Sequence, residues 1–360
     1  MQRPLHIAFV SQDLCFGGTQ RQMVELAGRL DRSRFAPELW TLTGPADMEG
    51  FAAEKEVRVV HLGSRRTPRL DFLYTLLREI LRRKPDVLVP GTAIPNIWCR
   101  IYGKLCGVPV LGTVRGGRGP KVQHEWLLWR LADHMMCNST PLYDILRGLG
   151  VPAERLTYIP NGVDMERYAP GPMPLEARPL LVLSVGRLVE DKNQHLLLRA
   201  FEEVVQAMPE ARLRIVGDGE LDGALKAAVA ASPVLRGTAE ICPAIPDVRP
   251  HYREARIFAL SSVREGQPNV LLEAMASGLP AASTNAGGAC VDVIGDAGLI
   301  SPQGDAAALA QNIIRLLRDP ALCRSMGEAG RARVEEKFSF SRMVSAHEAI
   351  FQKLHEAAQR

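Results

Sequence analysis

No apolar run in this sequence approaches the roughly 18–20 residues that a membrane-spanning helix needs, which argues against a chain threaded through a bilayer. Nor is there a Cys-x-x-Cys pair. The seven cysteines (15, 99, 106, 137, 242, 290 and 323) are odd in number and mostly set among apolar residues. They read as small buried hydrophobes in a reducing compartment, against a disulfide framework and against a zinc site. The start, MQRPLHIAFV, runs straight into a strand-like segment, so the expectation is a cytoplasmic chain without a signal peptide. Aromatics make up only 6% of residues and the net charge is only +4, which disfavours a nucleic-acid binder. The Gly-x-Gly-x-x-Gly fingerprint is missing as well: its nearest match, Gly217-Asp-Gly219, has Asp222 where the third glycine belongs. With no Gly-x4-Gly-Lys-Ser/Thr loop either, a dinucleotide-dependent oxidoreductase and an ATPase are both weakened.

What is present is a chain of 360 residues, 46% hydrophobic and 23% charged, long enough for two or three domains with substantial cores. The charge is unevenly shared. Residues 1–170 hold 23 Lys and Arg against 17 Asp and Glu, whereas residues 171–360 hold 21 against 23. A basic first half suggests an anionic partner on that side. Its densest stretch is 65–84, where Arg65, Arg66, Arg69, Arg78, Arg82, Arg83 and Lys84 face only Asp71 and Glu79. Arg78 and Arg82 lie one helical turn apart, so this face is a candidate for peripheral contact with an anionic membrane, with a solvated helix face as the equal alternative. The run Glu125-Trp-Leu-Leu-Trp-Arg-Leu131 reads first as a packed core helix and second as a contact for a lipid-linked acceptor.

Strand-like and helix-like segments alternate. Leu5 to Val10 is followed by Gly17-Gly18 and then by Met23, Leu26, Ala27 and Leu30 at helical spacing. Asp86 to Val89 and Val108 to Thr113 read as short buried strands, and Leu70, Leu73, Leu77 and Ile80 mark a helix between strands. Prolines 170, 172, 174 and 179 then interrupt any regular element. A second series begins at Leu180–Gly186 and continues through Leu213–Val216, Ile257–Leu260 and Pro280–Ser283. The expected fold class is α/β with two doubly wound Rossmann-like domains facing a central cleft. The boundaries expected are 1–168, a linker 169–179, a second domain 180–340, and a last helix 341–360 that is a candidate to cross back onto the first domain. Open parallel sheets bind ligands at the carboxyl ends of their strands, so each domain would present one substrate.

The chemistry concentrates in Ser262–Pro280. Pro268 suits the first turn of a helix, and Gly278 with Pro280 suits its end. Glu265 then lies in the loop before the helix and Glu273 inside it. A carboxylate accepts two hydrogen bonds from a vicinal diol such as a ribose or a sugar ring. The backbone N–H groups of Gly266, Gln267, Asn269 and Val270, around Pro268, suit a phosphate or sugar hydroxyls at the helix start. Glu273 sits among Leu271, Leu272, Ala274 and Met275, where a carboxylate needs a polar partner.

This segment resembles the Glu-x7-Glu motif of the retaining glycosyltransferases of family 4, which have the two-domain GT-B fold. The resemblance runs along nearly the whole chain. Phe16-Gly-Gly-Thr19, Ile159–Asp164, Val185–Leu188 with Asp191-Lys-Asn193, Val216–Glu220, Asn285–Gly288 and Gly298–Asp305 match in order and spacing. It implies that Arg187 and Lys192 clamp the diphosphate of a nucleotide-sugar donor, neutralising the leaving group without a metal. It implies that Glu273 binds the ribose hydroxyls and Glu265 sits beside the donor sugar. The other donor-binding positions it implies are Gly17, Gly18, Asn161, Gly217, Gly266, Gln267, Pro268, Asn269 and Val270. No cofactor or metal is expected, in keeping with the lack of Asp-x-Asp. UDP-sugar is the default donor, and a cell-envelope glycan or lipid-linked oligosaccharide the expected acceptor.

Two positions depart from the pattern. Arg115, followed by Gly116-Gly-Arg-Gly119, stands where many relatives carry a histidine. An arginine is no general base at neutral pH but suits a phosphate or an acidic acceptor group. Asp292 stands four residues after Gly288, where the longer Glu is usual. A nucleotide-sugar epimerase or hydrolase and a non-catalytic nucleotide-sugar-binding protein remain as other readings of the same donor site.

Overall fold

The computed structural model describes residues 3–44, 46–63, 71–116 and 119–360. Of the residues singled out above, Arg65, Arg66, Arg69, Leu70, Gly117 and Arg118 lie outside them. The chain divides into two compact units, Met1–Gly162 with Phe340–Arg360, and Val163–Ser339.

In the first unit the strands are β1 (Leu5–Ser11), β2 (Phe35–Thr41), β3 (Arg58–His61), β4 (Val87–Pro90), β5 (Leu111–Val114), β6 (His134–Cys137) and β7 (Leu156–Tyr158). They form parallel sheets in the orders β3-β2-β1-β4 and β5-β6-β7, tied together by a parallel bridge between Leu88 and Val110. Pro109 has no N–H for the ladder, and regular pairing starts three residues later than the apolar run at Val108 suggests. Side chains alternate across this sheet. Ile7, Phe9, Val87, Val89 and Met136 join one buried cluster, whereas Ala8, Val10 and Leu88 join the cluster on the opposite face. The helices Gly18–Arg29 and Phe340–Ala358 cover the first face, the latter placing the Phe351 ring 6.2 Å from Phe9 and 6.0 Å from Phe35. The last helix therefore belongs to the first unit.

The second unit has β8 (Leu181–Val185), β9 (Arg212–Val216), β10 (Ala239–Cys242), β11 (Ile257–Leu260), β12 (Ala281–Thr284) and β13 (Gly298–Ser301) in one parallel sheet ordered β10-β9-β8-β11-β12-β13. The chain runs outward one way from β8 and returns to start again at β11, so the order reverses between these two strands. In open parallel sheets the carboxyl ends of the strands at such a reversal are where ligands bind.

The expected linker at 169–179 is corrected by the structure, which places Val163 onward in the second unit. Val163 N–H donates to Phe338 O at 2.9 Å, and the buried Tyr168 ring lies edge-on to Tyr252 with centroids 5.9 Å apart. Arg178, also buried, donates to Met173 O at 3.0 Å and Ala255 O at 2.9 Å. The prolines stop helix and strand without loosening the segment. The division falls instead at Gly162, where a Cβ would meet Phe340 Cδ1 at 2.4 Å. Among the described residues no helix is long and apolar enough to cross a membrane.

Candidate functional site

The loops that leave β8 and β11 at their carboxyl ends are joined to each other. Val263 N–H donates to Asp191 O at 2.9 Å, and Ser261 Oγ donates to Lys192 O at 3.0 Å. Lys192 Nζ reaches Glu265 Oε1 at 2.5 Å, and Ser262 Oγ donates to the same oxygen at 2.7 Å. Only 16% of the Lys192 side chain and 10% of the Glu265 side chain remain accessible, so this is a largely buried charge pair with a neutral donor beside it. Asn193, next to Lys192, holds φ +48°, a left-handed backbone that asparagine tolerates better than most residues. It opens the helix Gln194–Ala207, whose Gln194 Nε2 donates back to Arg187 O at 2.8 Å.

Arg187 sits on the same loop, exposed, with no side-chain partner among the described residues. The loop after β9 lies alongside. Leu188 N–H donates to Asp218 O at 2.8 Å and Leu221 N–H to Leu188 O at 3.0 Å. Gly217 is required by this approach, since a Cβ there would meet Gly186 O at 1.9 Å. The two glycine-bearing segments are thus one surface at the carboxyl ends of adjacent strands.

Glu265 precedes the helix Asn269–Ala276, which Pro268 introduces and Gly278, at φ +76°, ends. Gly266, Gln267 and Pro268 are buried, Asn269 and Val270 half-buried. Glu273 lies on the apolar helix with 7% of its surface accessible, and its Oε2 accepts from the Tyr252 hydroxyl at 3.1 Å. Glu265 and Glu273 therefore keep separate partners within one segment.

In the first unit Arg115 follows β5. Its Nη1 donates to Asn161 Oδ1 at 3.1 Å, an oxygen that Asn138 Nδ2 also approaches at 3.4 Å. The structure thus joins two residues that the sequence left apart. The Asn161 turn is held from the other side by Gln22, whose Nε2 donates to Gly162 O at 2.8 Å and whose Oε1 accepts from Gly162 N–H at 3.2 Å. Burial pushes the Arg115 guanidinium down to about 10. Its charge and, more strongly, burial hold His347 down to about 3, with His347 Nδ1 2.7 Å from Met343 O. Gly17 has φ −166°, an extended conformation open to any residue, and a Cβ there would meet only the flexible end of Gln20.

Behind Arg115 lies a buried network. Arg100 and Glu125, both at 0% accessible, form a two-pronged pair at 2.8 Å for each prong. Arg100 also donates to Asn96 Oδ1 at 3.0 Å, and the same oxygen accepts from Thr113 N–H at 3.0 Å. Desolvation pushes the Glu125 carboxyl up, and Arg100 opposes it.

Sequence reasoning missed Tyr252, Asn138, His347 and the Arg100–Glu125 pair, none of which stands in a recognisable spacing. It also treated Trp126 and Trp129 together. Trp129 is buried, whereas Trp126 is 63% exposed, because the helical turn Glu125–Leu128 gives way to a 3-10 turn at Trp129–Leu131. Asp292 lies on the helix Ala289–Ile294, whose end Arg333 caps by donating to Asp292 O and Val293 O at 2.8 Å each. Among the described residues no group of three or more His, Cys, Asp or Glu side chains converges as a metal site.

Comparison with known proteins covers both units. Residues 16–167 match the family described as Glycosyltransferase Family 4, and residues 179–319 match Glycosyl transferases group 1. The capsular polysaccharide biosynthesis glycosyltransferase CapM of Staphylococcus aureus is 30% identical over 293 residues, covering 74% of this chain and 77% of CapM. The putative colanic acid biosynthesis glycosyltransferase WcaL of Escherichia coli is 32% identical over 199 residues, 52% of this chain but only 48% of WcaL. Anabaena HepE, solved with UDP-glucose, superposes with a TM-score of 0.82 at 18% identity, covering 99% of each chain. Sucrose-phosphate synthase from Thermosynechococcus elongatus gives 0.81 at 19%, covering 98% of this chain and 100% of its own. At these identities the structural likenesses speak to the fold.

Proposed function

This chain belongs to glycosyltransferase family 4 and has the GT-B fold, and from that we propose that it is a retaining, metal-independent transferase of polysaccharide assembly. Its donor is read as a nucleotide sugar, by default a UDP-sugar, and its acceptor as a cell-envelope glycan or lipid-linked saccharide. The reaction is read as cytoplasmic.

The observation that carries this reading is the Lys192–Glu265 pair at the point where the sheet order reverses. A cation and a carboxylate held there by backbone contacts between two loops are pre-placed for a ligand with an anionic and a hydroxylated end. Lys192 and the exposed Arg187 take the diphosphate, and Glu265 takes hydroxyls of the donor sugar. Glu273, oriented by Tyr252, takes the ribose diol. In the transfer, the bond between the anomeric carbon and the diphosphate oxygen breaks, and the acceptor hydroxyl oxygen bonds to that carbon from the same face. The acceptor proton passes to the departing phosphate oxygen, so no protein base is needed. Charge developing on the leaving group is met by Arg187 and Lys192, which act by electrostatic stabilisation. Arg115 is assigned to the acceptor side, where a guanidinium without a carboxylate partner among the described residues suits an anionic acceptor group.

A thermal-shift screen of UDP-, GDP- and ADP-sugars tests the donor. The expected result is stabilisation by one nucleotide class, by mass action, that persists in excess chelator. NMR of the anomeric proton in the product tests retention. Stabilisation by NAD alone, or nucleotide-sugar binding with no turnover on any acceptor fraction, would overturn the assignment.

A further inference from the structure

The last helix, Phe340–Ala358, carries a buried polar group that the transfer described above does not use. His347 is fully buried. Its Nδ1 lies 2.7 Å from Met343 O, and a carbonyl oxygen only accepts, so the ring proton is on Nδ1. Nε2 then presents a lone pair, and no donor among the described residues meets it. With His347 held down to about 3, the ring is neutral at pH 7 and this lone pair is present.

Two further unpaired atoms lie on the same side of the sheet. Leu111 and Met136 join the buried cluster that holds Met343 and Phe351, whereas Val114 and Cys137 join the cluster on the opposite face. Arg115 and Asn138 come one residue after Val114 and Cys137, so the alternation of the strands turns them toward the last helix. Their contacts agree. Arg115 Nη1 and Asn138 Nδ2 approach the same oxygen, Asn161 Oδ1, at 3.1 and 3.4 Å, and the Arg115 charge acts on the His347 ring. Yet Arg115 Nε–H, a donor, and Asn138 Oδ1, an acceptor, are buried with no partner among the described residues. Buried polar atoms of this kind are costly when unpaired and are commonly joined by an ordered water with about three partners. One donor and two acceptors match a single water, which accepts one hydrogen bond and donates two.

We propose that a buried water joins His347 Nε2 to Arg115 Nε and Asn138 Oδ1, and that His347 is thereby a positioning residue for the Arg115 guanidinium. The guanidinium is then held at two points, by Asn161 at Nη1 and by the water at Nε. A long cationic side chain fixed before its ligand arrives loses less rotamer freedom on binding, so affinity for an anionic group rises. His347 itself touches no substrate. Its consequence for transfer rests on the acceptor-side reading of Arg115 given above.

NMR of arginine Nε–H groups in the full chain tests the contact, with the Arg115 resonance identified by its loss in Arg115→Lys. His347→Leu and His347→Asn should each shift that resonance and speed its exchange with solvent. Neither places an acceptor where Nε2 stands, since the Asn amide reaches only the position of Nδ1. His347→Gln, whose amide reaches the position of Nε2, should return the resonance toward that of the parent. Kinetics tests the consequence, with a detergent-solubilised lipid-linked saccharide fraction as acceptor. Leu and Asn should raise the apparent acceptor KM about fivefold or more, with kcat changed less and UDP affinity unchanged, and Gln should recover most of the loss. The comparison of Asn with Gln decides the matter even where the Leu variant fails to fold. An Arg115 resonance unmoved by Leu and Asn overturns the proposal. So does Asn serving as well as Gln, which would mean that only the contact with Met343 counts, or an acceptor KM that follows stability across all three variants. If Arg115→Lys leaves the acceptor KM unchanged while the resonance responds to His347 as expected, the contact stands and the acceptor-side reading of Arg115 fails, so the two are distinguishable.

Discussion

Lys192 Nζ and Glu265 Oε1 meet at 2.5 Å although 73 residues separate them. One stands on the loop leaving β8 and the other on the loop leaving β11, and these strands are neighbours because the sheet order reverses between them. The pair is therefore a consequence of topology, and it sets what each partner can do. Glu265 holds the ammonium in place, and on the proposed donor reading a diphosphate would compete for it.

Replacing Lys192 with Ala should cost both binding and some stability. A charge-assisted contact is worth about 1.5–3 kcal/mol, so UDP affinity by calorimetry should fall at least about tenfold. Glu265 would be left largely buried without its cation, and the melting temperature should drop. Unchanged UDP affinity in a folded Lys192→Ala variant would remove the diphosphate role.

Arg187→Ala separates binding from folding. The side chain is exposed and has no partner among the described residues, so stability should stay within about 0.5 kcal/mol of the parent. Donor affinity should nonetheless weaken, and combination with Lys192→Ala should abolish transfer. Steady-state kinetics together with urea denaturation check this; loss of stability in the single variant would point to a structural role.

Tyr252→Phe keeps a fully buried ring and removes the hydroxyl 3.1 Å from Glu273 Oε2. Losing this hydrogen bond to a charged group should cost about 1.5–3 kcal/mol in urea denaturation. Glu273→Gln, which still accepts from Tyr252, should fold nearly as well and bind donor less tightly. If both variants bind UDP like the parent, Glu273 is not a ribose ligand.

The two-domain plan was legible because both halves repeat strand, glycine turn and amphipathic helix, and because buried parallel strands such as Leu181–Val185 are continuous apolar runs. The loops proposed for the donor were legible as glycine-bearing segments in order. What joins them was not: spacing along the chain says nothing about Val263 on Asp191 or Gly217 against Gly186. The stretch 169–179 misled because proline reports the absence of helix and strand, whereas order there comes from the Tyr168 ring and Arg178. Trp126 and Trp129 misled because the helix ends between them.

Acid should unfold the protein through two buried histidines. His347 is held to about 3 by burial and by Arg115, and His134 to about 4 by burial and by Lys353 and Arg155. In the unfolded chain both titrate near 6.5. Between about 6.5 and 3 the unfolded state binds more protons, so stability is full above that window and falls as pH drops through it. His347→Gln, which stays neutral, should flatten the fall in denaturation midpoint between pH 7 and 4. An unchanged slope would mean that carboxylates dominate.

Arg100 and Glu125 supply the sharpest separation of stability from acceptor chemistry. Arg100→Met leaves Glu125 buried without its cation, a loss of about 3–5 kcal/mol. Replacing both with Met removes the two desolvated charges together, and most of that loss should return. Yet Arg100 also donates to Asn96, whose oxygen fixes the Thr113 N–H two residues before Arg115. The double variant should therefore be stable and bind UDP normally, while its KM for the acceptor rises and kcat changes less. If acceptor KM follows stability alone and recovers in the double variant, the network merely holds the core and does not position Arg115.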